Sequence, residues 1–318
     1  MISRRQLRIK ALQSLYAYYT TGREDMGRSE KELHFNIEKA YELYHYLLLL
    51  MLDVRLYAES RIELARNKRI PTHEDLNPNT RFIDNRLVEQ LRNNESLLRF
   101  VDQHKLNWSN YPELIREIYT RMVDSEEYGT YLSAESSGYA EDKKMITFAY
   151  SHIIFSSELL DSIMEEQSIY WNDDLEFITS MIVKTFRKFK EDDGPDKSLM
   201  TLYKNEEDRE YAVKLYRQTI IHRDEYVEYI KENTRNWDLE RIAFMDILIM
   251  QMAISELIGF SSIPTKVTLN EYLEISKFYS TSKSSVFING VLDKVVYQLK
   301  DEKKIQKSGR GLIGENET

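Results

Sequence analysis

The sequence predicts an all-α protein, and three observations support this fold class. Nearly every segment repeats its apolar residues with a period of about 3.6, and no alternating run bounded by turns indicates a strand. Only ten glycines and five prolines occur in 318 residues. The composition, 42% hydrophobic and 31% charged, suits a folded helical protein and argues against disorder.

The first two helices are predicted from their start and stop signals. The first covers residues 3–21 and ends near Gly22. The second begins at the capping box formed by Ser29 and Glu32 and continues to about Lys68, before a proline-containing loop over 71–80.

The remaining helices are predicted from periodicity alone. They cover 81–93, 95–105, 112–124, 141–168, 173–190, 206–232, 238–258, 268–278 and 284–300. Residues 135–142 break the pattern, and the acidic Gly-Pro segment 190–198 is typical of a linker. The last residues, 301–318, lose the periodicity and are predicted to form a flexible tail.

Several function classes are disfavoured by what the sequence lacks. Without cysteine there is no disulfide, thiolate metal site or cysteine nucleophile, which suits a reducing cytoplasm. The longest apolar run, 46–52, is far short of the roughly 18 residues of a membrane span. The six histidines lack ligand spacing, and no P-loop or dinucleotide motif is present. We therefore expect no enzyme, no metal, no cofactor and a cytoplasmic location.

The charge of the N-terminal segment differs from that of the whole chain. The net charge is −9, yet the first 23 positions contain no acid and hold Arg4, Arg5, Arg8, Lys10 and Arg23. A core stripe later in the helix includes Leu12, Leu15, Tyr16 and Tyr19. Because the arginines continue that stripe, we expect them to project as a basic spur, where bound phosphate would offset their unfavourable interaction with the helix dipole. The alternative is a solvated terminus that happens to be basic.

Both ends of the chain carry motifs that resemble the NusB family. The N-terminal match is RRQLRIKALQSLY (4–16), and the C-terminal match covers 237–296. Within the second match are Leu-x-Arg (239–241), Glu-Leu (256–257), Ile-Pro-x-Lys-Val (263–267), Asn-Glu (270–271) and Phe-x-Asn-Gly-Val-Leu-Asp-Lys (287–294). The resemblance implies a NusB-like helical bundle made of residues 1–24 and 206–300, with a helical insertion of unknown role over 25–205.

The resemblance also implies a function. NusB-like proteins pair with ribosomal protein NusE, bind boxA-type RNA and act in the antitermination complex of RNA polymerase. The implied RNA-binding residues here are Arg4, Arg5, Arg8 and Lys10, and Tyr16 could stack a base. Two departures from the family are that Gln6 and Leu7 interrupt the basic cluster, and that Ser282 and Lys283 stand where many relatives carry acids near the NusE contact.

Two alternatives belong to other functional classes. The first is a non-enzymatic protein-interaction scaffold, for example in ribosome assembly, whose insertion selects the partner. The second is an enzyme, since NusB-like domains occur fused to RNA cytosine methyltransferases, but no methyl-donor motif follows here.

The last predicted helix contains an Asn-Gly pair, which is unusual inside a helix. We expect Gly290 to let another helix approach closely and the Asn289 amide to bond a segment near Pro264. Phe287, Asn289, Gly290 and Asp293 would then form a structural latch that closes the C-terminal bundle.

Overall fold

The fold is described by a computed structural model over residues 1–22, 25–134, 138–234, 241–281 and 283–314. Every regular element in these ranges is a helix, which confirms the predicted all-α class. No helix among the described residues is long and apolar enough to cross a membrane.

Fifteen α-helices occur in the described part of the chain. In chain order they are α1 (Arg4–Thr20), α2 (Met26–Arg66), α3 (His73–Leu76), α4 (Arg86–Arg92), α5 (Glu95–His104), α6 (Pro112–Val123), α7 (Glu126–Ser133), α8 (Tyr139–Phe148), α9 (Glu158–Gln167), α10 (Leu175–Lys188), α11 (Glu206–Ile221), α12 (Arg223–Asn233), α13 (Phe244–Gly259), α14 (Thr265–Tyr279) and α15 (Ser284–Asp301). A π-helix, Ala149–Ile154, follows α8, and a 3₁₀ turn, Gly309–Leu312, lies in the C-terminal tail.

The chain divides into two compact units. One combines residues 1–37 with 203–318, and the other comprises residues 38–202. Their assignment to a NusB-like domain and an insertion remains a prediction.

Several predicted helix boundaries differ from the structure. Helix α2 begins at Met26 instead of Ser29, because the Asp25 side chain accepts the Arg28 backbone N–H at 3.1 Å. The predicted helix 141–168 is interrupted after the π-helix, and Ser157 then caps α9 by accepting from the backbone N–H of Leu160. The predicted helix 206–232 divides at His222.

The unit that combines residues 1–37 with 203–318, here called the discontinuous unit, is built around α13. This helix is apolar on nearly all sides, and every residue from Leu248 to Leu257 is buried. A helix without a polar face must be enclosed by neighbours, and α1, α11, α12, α14 and α15 all pack against it. Burial of α13 therefore fixes the positions of both chain ends within this unit.

The unit over 38–202 has a separate core centred on the second half of α2. Trp108 is fully buried, stacks on Tyr46 with ring centroids 3.8 Å apart, and donates its indole N–H to the Tyr46 carbonyl at 2.9 Å. The Tyr150 hydroxyl, on the π-helix, donates to the Leu47 carbonyl at 2.7 Å. The polar groups of these buried aromatic side chains thus donate hydrogen bonds to backbone carbonyls of α2.

The predicted latch at Asn289 and Gly290 is wrong. A Cβ placed on Gly290 would meet no atom within 4 Å, so no helix approaches there. The Asn289 amide donates to the Asp293 carboxylate on its own helix at 3.1 Å, instead of to the Pro264 region. Helix α15 buries its other face through Ile288, Val291, Leu292, Val295, Val296 and Leu299, while Phe287 is half-buried.

The prediction of a flexible tail is wrong for residues 304–311, which are held by hydrogen bonds to the rest of the unit. The Lys307 ammonium donates to the carbonyls of Leu257 and Phe260, at 3.0 and 3.1 Å, and the Ser308 backbone N–H donates to the Ser261 carbonyl at 3.0 Å. Residues 315–318 lie outside the described ranges.

Substitution of Gly290 tests the exposed position of the Asn-Gly pair. Gly290→Ala should raise the free energy of unfolding by about 0.5–1 kcal/mol, since alanine has the higher helix propensity and its methyl group meets open space. Urea unfolding followed by circular dichroism measures the change. A loss of stability would show that the position is packed after all.

Candidate nucleic-acid interface

Helix α1 carries all the predicted RNA-binding residues. It starts at Ser3, whose hydroxyl accepts the Gln6 backbone N–H at 3.2 Å, and it buries Leu7, Leu12 and Leu15. It packs against α11 and α13, and those helices and α14 carry acidic residues opposite its arginines.

Arg8 does not project into solvent, so the predicted basic spur is wrong at this residue. Its guanidinium donates from Nε and Nη2 to the two carboxylate oxygens of Glu256, at 2.8 and 2.7 Å. The side chain of Arg8 is 3% exposed and that of Glu256 is 0% exposed. Arg8 is therefore placed as part of the core.

Glu256 accepts further hydrogen bonds from two neighbouring helices. The Thr268 hydroxyl donates at 2.8 Å, the Tyr272 hydroxyl donates at 3.3 Å, and the Tyr211 hydroxyl donates as well. Burial, together with the Glu256 carboxylate, raises the pKa of Tyr211 and Tyr272 well above the usual tyrosine value. Both tyrosines therefore remain protonated donors at neutral pH.

The ionisation of Arg8 is secured by the same network. Burial alone would lower its pKa, but Tyr211 and Glu256 outweigh that effect and raise the pKa above the usual arginine value. The cluster of Arg8, Glu256, Tyr211, Thr268 and Tyr272 thus ties α1, α11, α13 and α14 together with satisfied polar groups.

Lys10 is buried too, with no exposed surface. Its position inside the bundle is at variance with the predicted RNA contact, which requires an accessible ammonium.

Arg4 and Arg5 remain accessible at the start of α1. Arg5 is 48% exposed and forms two 2.8 Å hydrogen bonds with the Glu271 carboxylate on α14. Arg4 is 26% exposed and donates to Asp208 at 2.8 Å and to Glu207 at 2.6 Å, both on α11. These two guanidinium groups are the members of the predicted cluster that external phosphate could reach.

An open cavity of about 780 Å³ lies beside these arginines. The N-terminal cap residues of three helices line it, namely Ser3 of α1, Asn205 of α11 and Pro264 of α14. Its charged lining consists of Arg4, Arg5, Arg8, Lys204, Arg310, Glu207, Asp208 and Glu271. Sequence analysis missed Lys204 and Arg310 because they lie far from α1 along the chain, and no local motif marks them.

The exposed aromatic predicted to contact RNA lies further along α1. Tyr16 is 42% exposed, and its ring centroid is 5.8 Å from that of Phe244. Arg5 and Tyr16 are separated by about 17 Å along the axis, from the 1.5 Å rise per residue. The accessible cation and the accessible aromatic thus lie on the same helix, at a separation that a few nucleotides of single-stranded RNA can span.

Other predicted features contribute little to this site. Lys283 is exposed, whereas Arg23, Ser282 and residues 237–240 of the family motif lie outside the described ranges. Among the described residues no group of three or more His, Asp or Glu side chains could hold a metal ion.

Stability measurements should separate the buried arginine from the exposed one. Arg8→Gln should lower the free energy of unfolding by about 3–5 kcal/mol, because it leaves the Glu256 carboxylate buried without its charge partner. Arg5→Gln, the matched control, should cost at most about 1 kcal/mol, since its ion pair is half-exposed. Equal effects in urea unfolding would contradict this division between core and surface.

The Arg5–Glu271 pair should make stability depend on pH. The Arg5 hydrogen bond lowers the pKa of Glu271 from its ordinary 4.5, and Arg8 adds to the effect against the opposing influence of burial. The carboxylate therefore stabilises the fold above pH 4.5, and this contribution is lost as the pH falls through the lowered pKa.

Glu271→Gln should cost at most about 1 kcal/mol at neutral pH, and the deficit should shrink on acidification below the ordinary carboxylate pKa. Urea unfolding at several pH values measures it, with Glu228→Gln, an exposed carboxylate on α12, as the control. A deficit that does not change with pH would assign the loss to packing.

Comparison with known proteins relates this chain to one family. The NusB family model matches residues 177–297. The transcription antitermination protein NusB of Salinibacter ruber is 42% identical over 106 residues, which cover 33% of this chain and 66% of that protein. The protein of the same name from Chloroherpeton thalassium is 37% identical over 105 residues, which cover 33% of this chain and 50% of that protein.

A third relative is covered more fully. The transcription antitermination protein NusB of Natranaerobius thermophilus is 40% identical over 98 residues, which cover 29% of this chain and 70% of that protein. No solved structure matches. This chain spans between half and about two thirds of the length of the first two relatives. Its identity to the Natranaerobius protein over most of that protein's length shows that the chain belongs to the NusB family.

Proposed function

We propose that this protein is a non-enzymatic, RNA-binding transcription antitermination factor of the cytoplasm. It binds boxA-type RNA together with ribosomal protein NusE in the antitermination complex of RNA polymerase. One observation carries the RNA-binding part of the proposal: a family member of net charge −9 concentrates basic side chains around one cavity at the start of α1. The names of its relatives support the process.

Arg4 and Arg5 hold phosphate in this proposal. Each guanidinium already presents paired N–H groups to carboxylate oxygens, and a phosphate accepts the same fork of hydrogen bonds. An exposed ion pair contributes only about 0–1 kcal/mol, so exchanging Glu271 or Glu207 for phosphate costs little. Arg8 keeps Glu256 as its partner and positions the helix.

Tyr16 provides a stacking surface for a base further along the strand. Base stacking on an aromatic ring contributes about 1–3 kcal/mol and tolerates different sequences. The neighbouring Phe244 ring holds Tyr16 from one side while 42% of its surface stays accessible.

The NusE contact is proposed near the loop between α14 and α15. Two large apolar side chains flank this loop, Phe278 at 78% exposed and Val286 at 77% exposed. Large contiguous apolar patches often mark protein contacts, and in this proposal the two side chains belong to one such patch. An apolar contact here would not need the acids that Ser282 and Lys283 replace.

The scaffold alternative gains support from the unit over 38–202. A cavity of about 590 Å³ is lined by α7, α8 and the π-helix, including Met145, Phe148 and His152. A π-helix often marks a functional position. This surface could bind a partner whether or not α1 binds RNA.

The Arg4→Gln/Arg5→Gln double variant tests the RNA interface. It should weaken binding of a boxA-type RNA and flatten the plot of log affinity against log salt by about 0.7 per lost phosphate contact. The preference for boxA over a scrambled RNA should persist, since phosphate contacts position the strand and base contacts specify it. Fluorescence anisotropy at several salt concentrations, with and without NusE, measures both quantities.

The matched control is Arg209→Gln/Arg217→Gln. These two α11 arginines also form exposed ion pairs, with Glu206 and Glu30, and removing them changes the net charge equally. The control should bind RNA like the wild type. If the Arg4 and Arg5 variant retains the wild-type affinity and salt slope, the start of α1 is not the RNA site and the scaffold function becomes the better explanation.

A further inference from the structure

The C-terminal tail lies beyond residue 297, where the match to the family model ends. It is nevertheless anchored at several points along its length. The Lys304 ammonium donates to the Glu225 carboxylate at 2.8 Å and to the Tyr229 hydroxyl at 2.6 Å, both on α12. These contacts fix the direction in which the chain leaves α15.

A second anchor lies at the C-terminal end of α13. The Lys307 ammonium donates to the Leu257 and Phe260 carbonyls, at 3.0 and 3.1 Å. A cation at this end of a helix interacts favourably with the helix dipole and satisfies carbonyls that have no partner within the helix. The tail therefore completes the end of α13.

The third anchor depends on a glycine. Gly311 is buried against the loop between α13 and α14, and a Cβ placed there would lie only 1.9 Å from the Ser261 carbonyl oxygen. Glycine is required for this approach, since the obstructing atom belongs to the backbone. A single methyl group added at Gly311 would therefore prevent the tail from docking in this position.

Docking brings an exposed cation to the α1 cavity. Arg310, immediately before Gly311, lines the same 780 Å³ cavity as Arg4 and Lys204. The hydrogen bond from Arg4 is the main cause that lowers the pKa of Glu207, and the charge of Arg310 contributes further. Arg310 therefore lies close to the carboxylate that competes with phosphate for Arg4.

The charge of the cavity depends on these added side chains. Three arginines of α1 line it, and three carboxylates, Glu207, Asp208 and Glu271, offset them. Arg8 is also neutralised by the buried Glu256 behind the lining, so the α1 cluster alone gives the cavity no net positive charge. Lys204 and Arg310 are the remaining charged residues of the lining, and they make it net positive.

We propose that the docked tail completes the RNA-binding cavity, with Arg310 contacting an RNA phosphate beside the one held by Arg4. The proposal rests on the function proposed above for the same cavity. It assigns an RNA contact to a segment outside the family match and explains why the tail is fixed in place.

Two variants of the full chain test the proposal by different routes. Arg310→Gln removes the charge and leaves the anchors, whereas Gly311→Ala keeps the charge and displaces the tail. Each should weaken boxA-type RNA binding several-fold at moderate salt and reduce the salt slope by about 0.7. Lys303→Gln, which removes an exposed tail charge that does not line the cavity, should bind like the wild type.

The outcomes distinguish this inference from the proposed function. If the wild-type protein, with NusE, does not bind the RNA, the proposed function fails and the inference fails with it. If the Arg4 and Arg5 variant is weakened but Arg310→Gln binds like the wild type, only the inference about the tail is overturned, whatever Gly311→Ala does. Loss of affinity in Arg310→Gln with unchanged thermal stability supports it.

Discussion

The buried ion pair between Arg8 and Glu256 is the interaction on which the rest of the discontinuous unit depends. Both groups are excluded from water, so each requires the other to remain charged without a large desolvation penalty. Donors from α11 and α14 fill the remaining sites on the carboxylate. The pair sets the rotation of α1 against α13, and this rotation directs Arg4 and Arg5, one turn earlier, toward the acidic side chains of α11 and α14.

This constraint places two basic residues of α1 in the core and two at the surface. Arg8 and Lys10 lie in the interior, while Arg4 and Arg5 lie at the surface and already contact carboxylates. The carboxylates hold the guanidinium groups in defined orientations. They also neutralise the positive charge, so that a distant ligand experiences little net attraction. An arginine-rich helix therefore does not by itself form a basic surface. The positive charge of the cavity depends on residues from the segment before α11 and from the C-terminal tail.

The sequence predicted the helical class and most helix positions, because apolar periodicity reports directly on burial. It failed for Arg8, since periodicity counts charged residues as exposed and the partner of Arg8 lies 248 positions away. One signal was present: Glu256 is the one charged residue in the segment 248–257, and a charge among so many apolar residues requires a buried partner. At Gly290 the prediction took a glycine inside a helix as the mark of a close helix approach, but this glycine faces open space and α15 packs through its other face.

The charge balance of the whole chain argues for a partner in RNA binding. At physiological ionic strength the Debye length is about 8 Å, so a few cations around one cavity attract RNA only at short range. The remainder of the surface carries the charge that makes the chain net negative, and it repels a polyanion. In the proposed function, positive charge supplied next to the cavity would strengthen RNA binding. A basic partner such as a ribosomal protein would supply this charge, which gives the proposed pairing with NusE an electrostatic reason.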